Sequence, residues 1–219
     1  TERTGISLKV GAASLTREAR PNNLAVTAQW IPVLGAVEDA IVECFARGGG
    51  VSYSAYERFH AVMAEESDQT VVASLLGDIV PLVSGLVAAL EAGIDVLDVG
   101  CGTGRALQLL ARAYPKSRFT GFDLSAEAIA AARQEATGRR LANLRFEVRD
   151  VAELSLEGGF DLVTAFDAIH DQARPAEVLA AIARALRPDG TFLMQDVAGT
   201  SRLEEDARHP LGSFLYTIS

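Results

Sequence analysis

Residues 96–104 run Val96, Leu97, Asp98, Val99, Gly100, Cys101, Gly102, Thr103, Gly104: an apolar strand that carries an acid and then breaks into glycines at alternate positions. Glycine has no Cβ, so such a chain bends sharply and leaves N–H groups open to a small ligand lying against it. The helix expected next aims its positive end at the same spot, which favours an anionic group such as a carboxylate. The dinucleotide fingerprint Gly-x-Gly-x-x-Gly/Ala fails in both registers. Counted from Gly100 its third position is Arg105, and counted from Gly102 it is Leu107.

Further acids recur where later strands should end. Arg118 to Asp123 is a short strand pattern closing on an acid 19 residues past Gly104, a place from which a carboxylate can accept both hydroxyls of a ribose. Leu144 to Asp150 alternates apolar and polar residues, as a strand does, and ends in Asp150 and Val151. Phe160 to Phe166 and Thr191 to Asp196 read as a fourth and a fifth strand, and Leu186 to Gly190 as the turn into the fifth. Helices are expected near 102–113, 124–137 and 175–187, with Ser125 as an N-cap and Pro175 in a first turn. Strand and helix in alternation imply a parallel sheet with right-handed crossovers. Ligands of such sheets bind at the carboxyl ends of the strands, where these acids and glycines fall.

Upstream the chain reads helical. Leu34, Val37, Ile41 and Phe45 share a helical face, Pro32 starts or kinks that helix, and Gly48, Gly49 and Gly50 end it. Apolar helical stretches follow near 53–66 and 69–91. The expected division is a helical N-terminal region over 1–92 and an α/β domain over 93–219. Ile6 to Val10 reads as a strand without a partner, and the sequence closes on the apolar run Phe214 to Ser219, as a piece of a longer protein would.

The Asp-x-Gly-x-Gly-x-Gly string from Asp98 to Gly104 resembles motif I of the class I S-adenosylmethionine-dependent methyltransferases. The resemblance implies a Rossmann-like methyltransferase fold, an open, mostly parallel, doubly wound sheet preceded here by helices. It implies S-adenosylmethionine as cofactor. The turn of Gly100, Gly102 and Gly104 with Asp98 would cradle its methionine end. Asp123 would accept the ribose hydroxyls, Asp150 the adenine amino group, and the backbone of Val151 would meet the ring, with Leu124 and Phe166 as further cofactor-binding residues.

Arg58 to Ser67 is similar to a segment of small-molecule O-methyltransferases that carry an N-terminal winged-helix dimerisation domain. There a methionine and a serine face cofactor and substrate; Met63 and Ser67 match them, four apart on one helical face. Residues 6–20 would be all that is left of the winged helix. Phe166 to Asp171 resembles the family's His-Asp-Trp segment, which makes His170 the general base and Asp196 the acid flanking it. Gln172 stands where the family has Trp. The likeness runs over about residues 53–197.

Bulk properties narrow the classes. The 219 residues suit one α/β domain plus a smaller helical piece, and 49% hydrophobic with 22% charged residues suits a globular chain. No apolar run reaches the roughly 20 residues of a membrane span. Cys44 and Cys101 form no metal-ligand spacing or disulfide framework, and the expected location is the cytoplasm. A net charge of −9 argues against nucleic acid as a partner. The expected partners are a small-molecule methyl acceptor and a second copy, held through the apolar N-terminal helices.

Three other readings compete. A metal-dependent O-methyltransferase would use Asp167 and Asp196 as magnesium ligands, but that family has an Asp-Asn pair ending the fifth strand and here Val197 follows Asp196, so no metal is expected. A winged-helix regulator would sense the cofactor without chemistry, and a nucleotide-dependent oxidoreductase meets the failed fingerprint.

Overall fold

Short runs of Val, Leu and Phe become five parallel strands, because the central strands of such a sheet are covered on both faces and select apolar side chains at nearly every position, while the outer strands keep exposed ones. The computed structural model describes residues 23–208 apart from Leu156, Ala198 and Ser201. The strands are β1 (Asp95–Val99), β2 (Arg118–Asp123), β3 (Leu144–Val148), β4 (Phe160–Phe166) and β5 (Leu186–Gln195), in the order β3-β2-β1-β4-β5. The order reverses between β1 and β4, and at such a switch point the loops diverge and leave a crevice at the carboxyl edge. Asp98 pairs in register with Gly121 on one side and Thr164 on the other, which fixes what meets at that edge.

The chain divides into two compact units, Thr1–Leu75 and Leu76–Ser219. In the second, α5 (Leu86–Ala92) leads into β1, α6 (Arg105–Ala113) joins β1 to β2, α7 (Ala126–Gly138) joins β2 to β3 and α8 (Pro175–Ala185) joins β4 to β5. The strongly amphipathic α6 buries Leu107 and Leu110, and α7 buries Ile129 and Ala132. Val178, Ala181, Ile182 and Ala185 form the buried stripe of α8 and share a core with Leu97, Val99, Val163 and Ala165. Truncating Leu97 to Ala would cost about 2–5 kcal/mol. Ser125 caps α7 through its Oγ, which accepts the Ala128 N–H at 3.1 Å, and Pro175 opens α8, both as expected.

The expected turn at Leu186 to Gly190 is instead part of β5. The register slips between Phe160 and Leu162, so the residues around Pro188 and Gly190 are absorbed as an irregularity inside a longer strand.

The N-terminal unit holds α1 (Leu24–Thr27), α2 (Trp30–Gly35), α3 (Glu38–Arg47) and α4 (Phe59–Ser67). Trp30, 1% exposed, meets the Phe59 ring edge-on at 5.4 Å. The single helical face expected from Leu34 to Phe45 is broken at Ala36 and Val37, between α2 and α3, while Pro32 sits inside α2. Val37 is buried, but Phe45 is 86% exposed, so α3 turns that residue to the surface. The stretch expected over 53–66 is split at Arg58, whose φ of 64° is left-handed and starts α4 afresh. The stretch expected over 69–91 is split at Val83 to Gly85. Pro81 lacks an N–H to continue a helix, and Gly85 takes φ 79°. The strand expected at Ile6 to Val10, the winged-helix remnant and the run from Phe214 lie outside the described residues. Among the described residues no single helix is long and apolar enough to cross a membrane.

Candidate active site

The glycine turn closes on itself more tightly than its composition suggests. Gly100 and Cys101 donate their N–H groups to the Phe122 carbonyl at 2.9 and 3.1 Å, and Gly104 donates to Cys101 at 2.8 Å. Gly102 donates to Asp123 Oδ2 at 2.8 Å. The expectation that the turn leaves its N–H groups open is thus corrected at four positions, because the turn folds against the tip of β2 at three of them and on itself at Gly104. The glycines also differ in purpose. A Cβ on Gly104 would overlap the Phe146 ring, and one on Gly100 would come within 2.6 Å of the Ala168 Cβ, so these two serve packing. At Gly102, with φ 52°, a Cβ would meet nothing within 4 Å. There the backbone borders open space.

Asp98 is 3% exposed and accepts the Thr164 hydroxyl at 2.6 Å. Burial pushes its pKa up to about 7; the Thr164 bond pulls the other way and the Asp123 charge adds to the rise. Burial, with the charges of Asp98 and Asp123, also drives the Cys101 thiol well above its ordinary range, which removes it as a nucleophile. Asp123 ties β2 to the turn through Gly102 and to α7 through its Oδ1, which accepts the Ser125 N–H at 2.8 Å. Beside it Leu124 is 62% exposed, an apolar surface at the sheet edge. At the end of β3, Asp150 Oδ1 accepts the Ala152 N–H at 2.9 Å, and Val151 is buried. Asp150 Oδ2 takes the Arg174 guanidinium at 2.9 Å.

Beyond β4 and β5 the sequence-expected pair comes together. His170 Nδ1 lies 2.5 Å from Asp196 Oδ1. Asp196 Oδ2 accepts the main-chain N–H groups of Ile169 and His170 at 3.1 and 3.3 Å, and Oδ1 also takes the Val197 N–H at 2.7 Å. Burial works against its charge, yet the Val197 N–H and His170 hold the Asp196 carboxyl below the usual range. Two further acids crowd the ring. Asp171 Oδ1 is 3.3 Å from Nε2 and Asp167 Oδ1 is 4.0 Å from Nδ1. Both are raised, chiefly by burial and against the pull of His170. Asp167 adopts φ 54°, a left-handed conformation that Asp tolerates better than most residues. Phe166 ends β4, half-buried, and Gln172 closes the loop by donating to the Ala168 carbonyl at 2.9 Å.

Asp167, His170 and Asp196 bring possible ligand atoms within 4.8 Å of one another. His170 Nδ1 and Asp196 Oδ1, 2.5 Å apart, share a proton. The geometry is that of an oriented imidazole. Met63 and Ser67 lie on α4, in the N-terminal unit.

Thr164 and Arg174 were not expected here, and Asp171 only as a member of the His170 segment without a role of its own. Thr164 could have been noticed as the one hydroxyl in an apolar strand, but the other two required the loop geometry.

A family profile described as a methyltransferase domain matches residues 90–210. The chain belongs to that family, the class I S-adenosylmethionine-dependent methyltransferase domains. Trans-aconitate 2-methyltransferase of Deinococcus radiodurans is 38% identical over 101 residues, which are 46% of this chain and 37% of that protein. Ubiquinone biosynthesis O-methyltransferase of Albidiferax ferrireducens is 35% identical over 101 residues, 45% of this chain and 39% of that one. The chain therefore spans well under half the length of these relatives. The crystal structure of the PH0226 protein from Pyrococcus horikoshii superposes with a TM-score of 0.51 at 27% identity, covering 66% of each chain. The cofactor of the family is S-adenosylmethionine, and the residues present fit it. Gly102 borders open space, Leu124 offers an apolar surface, and the carboxylates of Asp123 and Asp150, each holding two protein donors, have further acceptor capacity.

Proposed function

We propose that this chain carries the cofactor-binding and transfer portion of a small-molecule O-methyltransferase, with His170 as general base. When bound, S-adenosylmethionine supplies a methyl group activated on a sulfonium sulfur. The turn at Gly102 and Thr103 would hold its methionine end, Asp123 the ribose hydroxyls, and Asp150 with Leu124 and Val151 the adenine. The observation that carries the base assignment is the 2.5 Å pairing of His170 Nδ1 with Asp196. It keeps the Nδ1 proton facing the carboxylate and leaves Nε2 as the basic nitrogen. Nε2 now faces Asp171 Oδ1 at 3.3 Å, where the hydroxyl of an acceptor would have to come. The acceptor displaces that carboxyl, donates its proton to Nε2 and presents its oxygen for in-line displacement.

The acids around His170 favour a neutral acceptor such as a phenol or enol. A polycarboxylate, which the name of the Deinococcus relative specifies, would meet Asp167, Asp171 and Asp196. Exposed Ile31, Val42 and Phe45 on the N-terminal unit support the homodimer reading. The test is methyl transfer from labelled cofactor to a panel of phenols, enols and carboxylates. His170→Ala is expected to lower turnover about 10²–10⁴-fold with cofactor affinity intact. Full activity in that variant would leave His170 a merely structural residue.

A further inference from the structure

The glycine turn is braced from behind by a side chain that belongs to no motif. Gln108 lies on α6, one helical turn past Gly104, and is 1% exposed. Its Nε2 donates to the Thr103 carbonyl at 3.1 Å and to Glu135 Oε2, on α7, at 3.3 Å. Both partners can only accept, so the amide nitrogen must face them and Oε1 must point elsewhere. Oε1 is buried and has no hydrogen-bond partner. An orphaned buried amide oxygen weakens a fold, and an apolar side chain of the same length would fill the space without that penalty. Stability alone does not account for glutamine at this position.

The turn supplies a reason. Within 100–104, the N–H groups of Gly100, Cys101, Gly102 and Gly104 are committed to the protein, and among the described residues only that of Thr103 has no partner. Thr103 sits between two left-handed glycines, with φ 52° at Gly102 and 74° at Gly104, where the backbone has its widest choice of conformations. We propose that Gln108 is a positioning residue for the cofactor. By gripping the Thr103 carbonyl and bracing itself on Glu135, it holds this residue so that its N–H stays directed to the ligand. The inference rests on the S-adenosylmethionine reading of the turn and assigns Gln108 no contact with the cofactor itself.

Two variants of the 219-residue chain separate this role from a merely structural one. Gln108→Met keeps length and burial but removes the donor. Ser117→Ala removes another buried bond to a carbonyl, from Ser117 Oγ to Leu90 at 2.7 Å, away from the turn. The measurements are affinity for S-adenosylhomocysteine by calorimetry, melting temperature, and hydrogen exchange of the ligand-free chain. Gln108→Met is expected to weaken affinity about 3- to 10-fold, through the loss of the bond that holds the Thr103 carbonyl. It should also speed exchange at the Gly104 N–H, with a melting temperature unchanged or raised. Ser117→Ala is expected to lower the melting temperature and leave affinity alone. Wild-type affinity and exchange in Gln108→Met would overturn the proposal, and so would a loss of affinity that only follows a matching loss of stability. Wild-type protein that binds no S-adenosylhomocysteine would refute the parent reading, a result distinct from either because it appears before any substitution.

Discussion

Replacing Asp98 with Asn should make the protein more stable at alkaline pH and remove a pH dependence that the wild type carries. The folded-state pKa is about 7, against an ordinary 3.8, because the carboxyl is buried between β2 and β4 with Asp123 nearby. A raised folded-state pKa means that the native state holds the proton more tightly than the unfolded chain. The stability this provides is complete below pH 3.8, declines as pH rises, and is gone above about pH 7. The whole span is about 4 kcal/mol, at 1.36 kcal/mol for each unit of difference. Between pH 5.5 and 8 the wild type should lose about 2 kcal/mol of it, or roughly 4–8 °C in melting temperature for a chain of this size. Asn keeps an oxygen to accept the Thr164 hydroxyl and cannot ionise. Thermal melts and urea titrations of both proteins at pH 5.5, 6.5 and 8 test this. The raised Asp167 and Asp171 and the lowered Asp95 and Asp196 contribute equally to both proteins, so the difference between them isolates Asp98. Equal pH dependence in the two would refute the argument that this carboxylate is ionised against its burial.

Asp196→Asn should leave S-adenosylhomocysteine affinity near wild type by calorimetry, yet lower turnover about 10²–10⁴-fold, because an amide no longer stabilises the protonated ring. Gly104→Ala puts a methyl group into the Phe146 ring at φ 74° and should lower stability by at least about 1–2 kcal/mol in urea titration, the left-handed backbone cost alone. Ser125→Ala removes the α7 cap and should cost about 1 kcal/mol in the same assay. Phe45→Glu should turn a dimer into a monomer in light scattering if the exposed N-terminal helices pair, and a monomeric wild type would end that reading.

The sheet was legible because buried parallel strands are nearly all apolar, so the acid or glycine after each apolar run marks the edge where ligands bind. Asp98, Asp123, Asp150 and Asp196 stood out in this way as acids at or near strand ends, and His170 through the likeness of Phe166 to Asp171 to the family's His-Asp-Trp segment. Which N–H groups the glycine turn keeps for itself was not legible. That depends on the Phe122 carbonyl and the Asp123 carboxylate, contributed by another strand. Nor was the crowding of His170 by Asp171, whose Oδ1 lies 3.3 Å from Nε2, in the loop where Asp167 turns left-handed. Helical periodicity overran three breaks, at Ala36 to Val37, at Arg58 and at Val83 to Gly85, because apolar spacing persists through a local change of backbone that it does not encode.

The most direct test of the central claim is calorimetric titration of the chain with S-adenosylhomocysteine and, separately, with NAD. The account predicts saturable binding of S-adenosylhomocysteine and none of NAD. Asp123→Ala should weaken that binding by about 1–3 kcal/mol, since the ribose hydroxyls lose a charged acceptor and Gly102 loses its anchor. Heat with NAD and none with S-adenosylhomocysteine would contradict it.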